Sequence, residues 1–310
     1  MTQFNHIQWL KDFRTASKLR TNFKELRADI FKQTVQLVQA GCYDLDGKII
    51  KISNDGIAEN TLFYECPQKL EPVDTNNKTV FSVIEADCLE TAELLLKSDF
   101  NPCVLNMASR QNPGGGVLNG AGAQEENVFR RTNLFVSLYQ FASFAGQYGI
   151  KKHEKNYPLN QNTGGIYSPG ITVFRSSENN GYSLLHKPFQ VSFVSVPAIN
   201  RPELEKTNGQ YFIIKSLVEP TKEKIRTILR IVGSHGHDSL VLSAFGCGAF
   251  SNPPNHMALL FREVFTESEF VNRFKFVTFA IIDDHNAWKD HNPTGNVQPF
   301  FEVFDSAGNV

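Results

Sequence analysis

Cys103-Val104-Leu105-Asn106-Met107 runs through Ala108 to Pro113 into Gly114-Gly115-Gly116, and beyond Gly120-Ala121-Gly122-Ala123 a helix opens at Gln124-Glu125-Glu126. This reads as a short buried strand, a glycine loop and a helix. In open α/β sheets, ligands sit outside the carboxyl ends of strands. Glycines there let backbone N–H groups approach phosphate oxygens, and a helix N-terminus adds favourable partial charge. A second strand end behaves the same way, Leu242-Ser243 opening into Gly246-Cys247-Gly248. Either loop alone could be a tight turn. Two at strand ends favour a ligand, and the pair could clamp the two phosphates of one diphosphate. Neither contains Gly-x-x-x-x-Gly-Lys-Ser/Thr, which excludes a P-loop. Gly-x-Gly-x-x-Gly also fails, because Asn119 and Ser251 stand where the third glycine belongs.

Outward from these loops the pattern alternates. Phe23, Leu26, Ile30, Leu37 and Val38 recur near the helical period and Gly41 supplies a stop. Tyr43 to Ile52 reads as a hairpin turning at Asp46-Gly47, and Asn54 to Asn77 as an irregular surface excursion. Val80 to Glu85 is a strand, with Asp87 as N-cap and Glu90 at the capping-box position of a helix through Leu96. One helix is expected from Gln124 to about Phe141. From Gln147 to Gly181 only short strands are expected, in a segment that could lie over the site. Strands at 190–196, 239–243 and 274–282, with helices at 221–234 and after Pro254, complete the alternation. That implies a mostly parallel sheet between helices.

The chain has 310 residues, of which 41% are hydrophobic, enough for one large α/β domain. A formal net charge of -1 supplies no global field towards nucleic acid or anionic membrane. The five cysteines, Cys42, Cys66, Cys88, Cys103 and Cys247, are scattered without a C-x-x-C pair, which argues against a disulfide framework and a structural zinc site. No signal peptide or membrane span is read, so an intracellular, cytoplasmic, soluble and monomeric protein is expected. His235-Gly236-His237 and Asp283-Asp284-His285 read as polar loops rather than metal ligands, and no cofactor motif is found.

The glycine stretch with Gln124-Glu125-Glu126 resembles the Gly-Gly-Gly…Gln-Glu-Glu signature of poly(ADP-ribose) glycohydrolases, in particular the compact bacterial type. Further segments resemble that family in the same order: Arg27 to Tyr43, Ile166-Tyr167-Ser168-Pro169 with Val173-Phe174-Arg175, Val196 to Asn200, Leu242 to Asn252, and Phe279 to Asp283. The resemblance implies a three-layer α/β/α macrodomain-like fold with a mixed, mostly parallel sheet. It also implies an N-terminal helical extension over residues 1–75 and a catalytic domain over 76–310. By the same resemblance Glu126 is the catalytic acid and Glu125 orients the ribose on the leaving side. Gly114, Gly115 and Gly116 form the first diphosphate loop, and Gly246, Cys247, Gly248, Ala249 and Phe250 the second, with Phe250 against the terminal ribose. Asp87 is expected near the adenine amino group, with Glu85 close enough to compete. Asn106, Ser109 and Gln124 complete the ADP-ribose site. Ser109, Phe245 and Ala249 depart from the family's residues at those positions, which bears on substrate preference.

The implied reaction hydrolyses ribose–ribose O-glycosidic bonds through an oxocarbenium-like state, protonating the leaving oxygen and then activating water. Adjacent helical residues point about 100° apart, so Glu125 and Glu126 cannot flank one bond symmetrically. Glu126 acting as acid and then base fits better. The helix N-terminus favours its carboxylate, whereas Glu125 and a bound diphosphate favour its proton, so proton uptake is expected on substrate binding. Taken alone, an acidic pair in a first helical turn is usually a solvated partner of the helix dipole. Two other readings stay open: hydrolysis of ADP-ribose from a protein, nucleobase or small ligand, and a non-catalytic ADP-ribose reader. An aromatic among Phe300, Phe301 and Phe304 could stack on adenine.

Overall fold

In the computed structural model, which describes residues 4–73 and 78–304, the chain opens with two helices, α1 (His6–Leu19) and α2 (Phe23–Ala40). Helix α2 is the one expected from the apolar spacing, and Gly41 ends it in the left-handed conformation at φ 70°. Helix α1 was not anticipated. Asn5 caps it by accepting the Gln8 N–H, and it buries only Trp9. The hairpin follows as β1 (Cys42–Leu45) and β2 (Lys48–Lys51). Asp46 and Gly47 both take positive φ, 54° and 75°, the turn whose twist matches the strands it joins.

The expected irregular excursion instead contains a one-turn helix α3 (Ile57–Asn60) and a short strand β3 (Leu62–Tyr64). Its residues 74–77, where the expected boundary at 75 also falls, lie outside the described residues. Strand β4 (Val80–Glu85), helix α4 (Cys88–Lys97) and strand β5 (Pro102–Met107) match their expectations.

The single helix expected from Gln124 is two, α5 (Gln124–Arg131) and α6 (Leu134–Tyr139). Thr132 between them is extended (φ -137°, ψ 171°) and forms an antiparallel bridge with Val173. Asn133 exchanges hydrogen bonds with Thr172, its Oδ1 accepting at 2.8 Å and its N–H donating at 3.3 Å. Pairing across the chain outcompetes helical continuation. The segment expected to hold only short strands carries β6 (Gly165–Arg175), eleven residues and mostly buried. Pro169-Gly170 lies inside it where burial is partial, and Gly170 takes φ 62°. Then come β7 (Leu184–Val196), an unanticipated hairpin of β8 (Leu204–Thr207) and β9 (Gln210–Ile213), and α7 (Lys215–Ser234). Strand β10 (Ser239–Leu242), α8 (Pro254–Phe265) with proline in its first turn, β11 (Phe276–Ile281) and α9 (Val297–Phe304) complete the described chain.

The large sheet has the order β3-β6-β7-β5-β10-β11-β4. Strands β5, β10, β11 and β4 run parallel, with Leu240 opposite both Cys103 and Val277, and Val277 opposite Phe81. The fold is a central, mostly parallel sheet flanked by helices, the three-layer class expected. Because those four strands are parallel, Met107, Leu242, Ile281 and Glu85 end at the same edge of the sheet.

Two compact units divide the chain. One comprises Met1–Leu62, Ala108–Pro158 and Ser168–Ser192; the other comprises Phe63–Met107, Leu159–Tyr167 and Phe193–Val310. In the first, Phe31 of α2 packs on Phe129, Phe135 and Tyr139 with ring centroids 6.0–6.3 Å apart. In the second, the buried core joins Leu105, Leu240, Leu242 and Val277 of the strands to Ile228, Ile231, Met257 and Phe261 of α7 and α8.

Candidate active site

Strand β5 delivers the chain into the glycine loop of the first unit. Gly114 and Gly115 take φ 79° and 55°, a region that side chains rarely adopt. Space is equally restrictive. A Cβ on Gly114 would lie 2.6 Å from the Phe129 ring, and one on Gly115 would lie 2.5 Å from Glu126 Oε1.

The loop's amides, expected to face phosphate, are engaged by the protein itself. Ser109 N donates to Glu125 Oε2 at 2.8 Å and Gly114 N to Glu125 Oε1 at 3.0 Å. Gly116 N donates to Glu126 Oε1 at 2.8 Å, while Gly115 N closes a turn on Asn112 O. The Ser109 hydroxyl accepts from Gln111 N and Asn112 N, fixing the loop's first bend. Gln124 begins α5, so both acids stand in its first turn. The glycines make this an anchor for two carboxylates.

The two acids are not equivalent. Glu125 is 3% exposed and each of its oxygens holds a loop amide. Glu126 is 7% exposed; its Oε1 is anchored, but its Oε2 is buried and has no hydrogen-bond partner. Leaving a buried acceptor unpaired costs about 1–3 kcal/mol, more for a charged group. An orphan of this kind calls for a functional account. Behind Glu125, burial, then Tyr148 and the Glu125 charge, push the Tyr139 phenol up. Burial, then the charge of Glu125, does the same to Tyr157, whose buried hydroxyl has no partner. Both phenols stay protonated. Nothing in sequence spacing points to either.

The second unit carries the other loop, after β10. Gly246 takes φ 75°, and a Cβ there would lie 2.6 Å from both Ala198 Cβ and Asn252 Nδ2. Asn252 Nδ2 clips the loop, donating to Ile199 O, Gly246 O and Phe250 O. His291 bonds through Nε2 to Cys247 O at 2.9 Å. Neither Asn252 nor His291 was assigned a role from sequence. Among the described residues, the backbone N–H groups of Gly248, Ala249 and Phe250 donate to nothing. Three consecutive free amides suit an anion, and in this respect the second loop differs from the first. Cys247 is fully buried, and burial pushes its thiol up, so its small size is what the loop uses.

Asp87 and Asn106 also lie in the second unit, at the ends of β4 and β5. Asp87 Oδ1 accepts from Leu89 N and Glu90 N and caps α4. Asn106 is buried and donates from Nδ2 to Ser195 Oγ at 3.0 Å. Glu85 is exposed at the end of β4. Of the aromatics considered for adenine, Phe300 and Phe304 are core residues packed on Phe279, and Phe301 is 45% exposed. His235 stacks on Tyr167, 3.6 Å between centroids, and His237 bonds Tyr167 through Nε2 at 2.9 Å, which makes the pair structural. Asp284 Oδ1 accepts from Asn286 N in a turn. Among the described residues, no group of three or more His, Cys, Asp or Glu could hold a metal ion, and no helix is long and apolar enough to cross a membrane.

Residues 31–176 match the family model of the microbial-type PARG catalytic domain. Among solved structures, the chain is similar to poly(ADP-ribose) glycohydrolase (PARG) from Thermomonospora curvata, with 29% identity and a TM-score of 0.73, covering 90% of this chain and 99% of that one. The same enzyme bound to the inhibitor ADP-HPD matches with 27% identity and a TM-score of 0.69 over the same shares. Poly(ADP-ribose) glycohydrolase from Deinococcus radiodurans in complex with ADP-ribose shares the fold, with 23% identity and a TM-score of 0.60 over 83% of this chain and 99% of that one. No curated protein matches the chain.

Proposed function

We infer that this chain, which belongs to the bacterial-type poly(ADP-ribose) glycohydrolases, hydrolyses the ribose–ribose bonds of poly(ADP-ribose) and releases ADP-ribose. The observation that carries the mechanism is the pair of Glu126 oxygens, Oε1 fixed by Gly116 N and Oε2 buried without a partner. Glu126 enters the reaction protonated. Its proton passes to the glycosidic oxygen as the bond from that oxygen to the anomeric carbon breaks, leaving an oxocarbenium-like ribose. The resulting carboxylate then takes a proton from water, whose oxygen bonds to the anomeric carbon, and Glu126 is restored as the acid.

Glu125 accepts one loop amide on each oxygen, from Ser109 N and Gly114 N, and supports the reaction by holding the loop and, through its remaining acceptor sites, the leaving-side ribose. The free amides of Gly248, Ala249 and Phe250 are assigned to phosphate, with Phe250 against the ribose. Asp87 is assigned to the adenine side, with its cap bonds limiting what its carboxylate can offer.

The test is incubation with poly(ADP-ribose) and, separately, with mono-ADP-ribosylated protein, following released ADP-ribose for wild type and Glu126→Gln. Wild type is expected to release ADP-ribose from the polymer. The variant should lose about 10²–10⁴-fold of the rate, the range for removing a general acid–base, while still binding ADP-ribose. Release only from the mono-modified protein would replace the polymer assignment with a mono-ADP-ribosyl hydrolase. Binding without release from either substrate would make the chain a reader.

A further inference from the structure

One helical turn beyond Glu126 on α5, Arg130 is fully buried. Its Nη1 donates to Ala121 O at 2.8 Å, and Ala121 N donates to Gly116 O at 3.1 Å. Gly116 N in turn holds Glu126 Oε1. The helix, Arg130 and residues 116–121 therefore close a ring whose last bond is the one that orients Glu126. Loosening the ring anywhere loosens that bond.

A second set of contacts holds the ring in place. Arg130 Nε donates to the Tyr182 hydroxyl at 2.7 Å, and that hydroxyl donates to Glu178 Oε2 at 2.9 Å. Glu178 is gripped from the other side by Arg27 of α2, through Nε at 2.7 Å and Nη2 at 2.6 Å. Tyr182 is itself fully buried, edge-on to Trp9 of α1 with centroids 5.1 Å apart. Gly122 packs so closely on Arg27 that a Cβ there would lie 2.3 Å from Nη1. Apolar residues of similar volume commonly stabilise a core as well as buried charges do. What this arrangement adds is a fixed direction at both ends of the loop before α5.

We propose that Arg130, Tyr182, Glu178 and Arg27 are positioning residues for the hydrolysis, a relay from the N-terminal helices that fixes residues 116–122 and keeps Glu126 Oε2 aimed at the glycosidic oxygen. This rests on the reading of Glu126 as acid and base. Arg130 and Tyr182 at its centre are fully buried, so the relay is expected to act on the chemical step and leave binding alone.

Tyr182→Phe removes the shared hydroxyl and keeps the ring against Trp9. Its kcat on poly(ADP-ribose) should fall about tenfold or more, the scale of a small misplacement of a reacting group, with KM unchanged within about twofold. Affinity for ADP-ribose should also stay at the wild-type value. Glu178→Gln should lose less, and the double variant no more than Tyr182→Phe alone, because both act in one chain of bonds. A kcat at the wild-type value in both folded variants, or a raised KM with kcat intact, overturns the relay. If Tyr182→Phe does not fold, Glu178→Gln and Arg130→Lys decide on the same criteria. A wild type that releases nothing from the polymer refutes the assigned function, and the relay with it. A wild type that turns over beside unimpaired variants refutes the relay alone.

Discussion

Gly116 and Glu126 are joined by one 2.8 Å hydrogen bond that fixes a single carboxylate oxygen and leaves its twin buried and unpaired. Gly115, beside that bond, has no room for a side chain: a Cβ would lie 2.5 Å from Glu126 Oε1, at a φ of 55° that already disfavours one. Gly115→Ala should therefore displace the Glu126 carboxylate and lower kcat by about 10²-fold, the scale given for misplacing a reacting group by roughly 1 Å. Steady-state kinetics alongside ADP-ribose binding would check this. Unchanged kcat would show that the carboxylate tolerates a shift.

Glu125→Gln tests the division of labour between the acids. Both Glu125 oxygens accept backbone amides, so the carboxamide NH2 of a glutamine must face either Ser109 N or Gly114 N, donor against donor. The expected result is a loss of stability of about 1–3 kcal/mol, from a buried amide left unpaired, together with a fall in kcat. Glu126→Gln, which keeps an oxygen available for Gly116 N, should melt close to wild type. Thermal denaturation of the two variants side by side decides the matter. Equal melting temperatures would remove the structural role given to Glu125.

These contrasts mark where sequence reading stopped. Helix α2, the Asp46-Gly47 turn and the Asp87 cap were legible because each is set by residues a few positions apart. Both glycine loops were legible as well, by composition and by their place after a strand. Their difference was not, because it depends on Glu125 and Glu126 folding back to accept the first loop's amides, while among the described residues the amides of Gly248 to Phe250 donate to nothing. The break at Thr132 is imposed by pairing with Val173, distant in sequence. Arg130 and Arg175, to which no role was given from sequence, are fully buried in the fold. Strand β6 lay in a segment rich in Asn, Gly, Ser and Pro from which only short strands were expected, and it carries Pro169-Gly170 at its less buried middle.

In the second loop the geometry predicts a binding phenotype. Gly246→Ala would set a Cβ 2.6 Å from Asn252 Nδ2, the group that clips Ile199 O, Gly246 O and Phe250 O together. Gly246 also has φ 75°, so strain is added to the clash. Displacing the clip misaligns the free amides of Gly248, Ala249 and Phe250. Affinity for ADP-ribose should weaken at least about tenfold, equivalent to 1.4 kcal/mol, and KM should rise. Isothermal titration with ADP-ribose reads it directly, and wild-type affinity would withdraw the phosphate role from this loop.

The paired histidines give a prediction about pH. Burial holds both rings below their ordinary value near 6.5; at His235 the His237 charge adds to it, and at His237 the Asn101 carbonyl opposes it. A carbonyl only accepts, so the His237 Nδ1 that lies 3.0 Å from Asn101 O carries the hydrogen, and Nε2 accepts from the Tyr167 hydroxyl. Protonating Nε2 would reverse that second bond and place charge beside the stacked His235 ring. With the folded-state value below the unfolded one, the unfolded chain takes up the proton first. The contribution to stability is therefore complete above about pH 6.5 and is lost as pH falls through the depressed folded-state value. Melting temperatures measured from pH 7.5 down to pH 5 should fall for wild type. They should fall less steeply for His237→Gln, which cannot charge at that position and starts from a lower stability. Parallel slopes for the two proteins would rule out His237 as the source of the acid sensitivity.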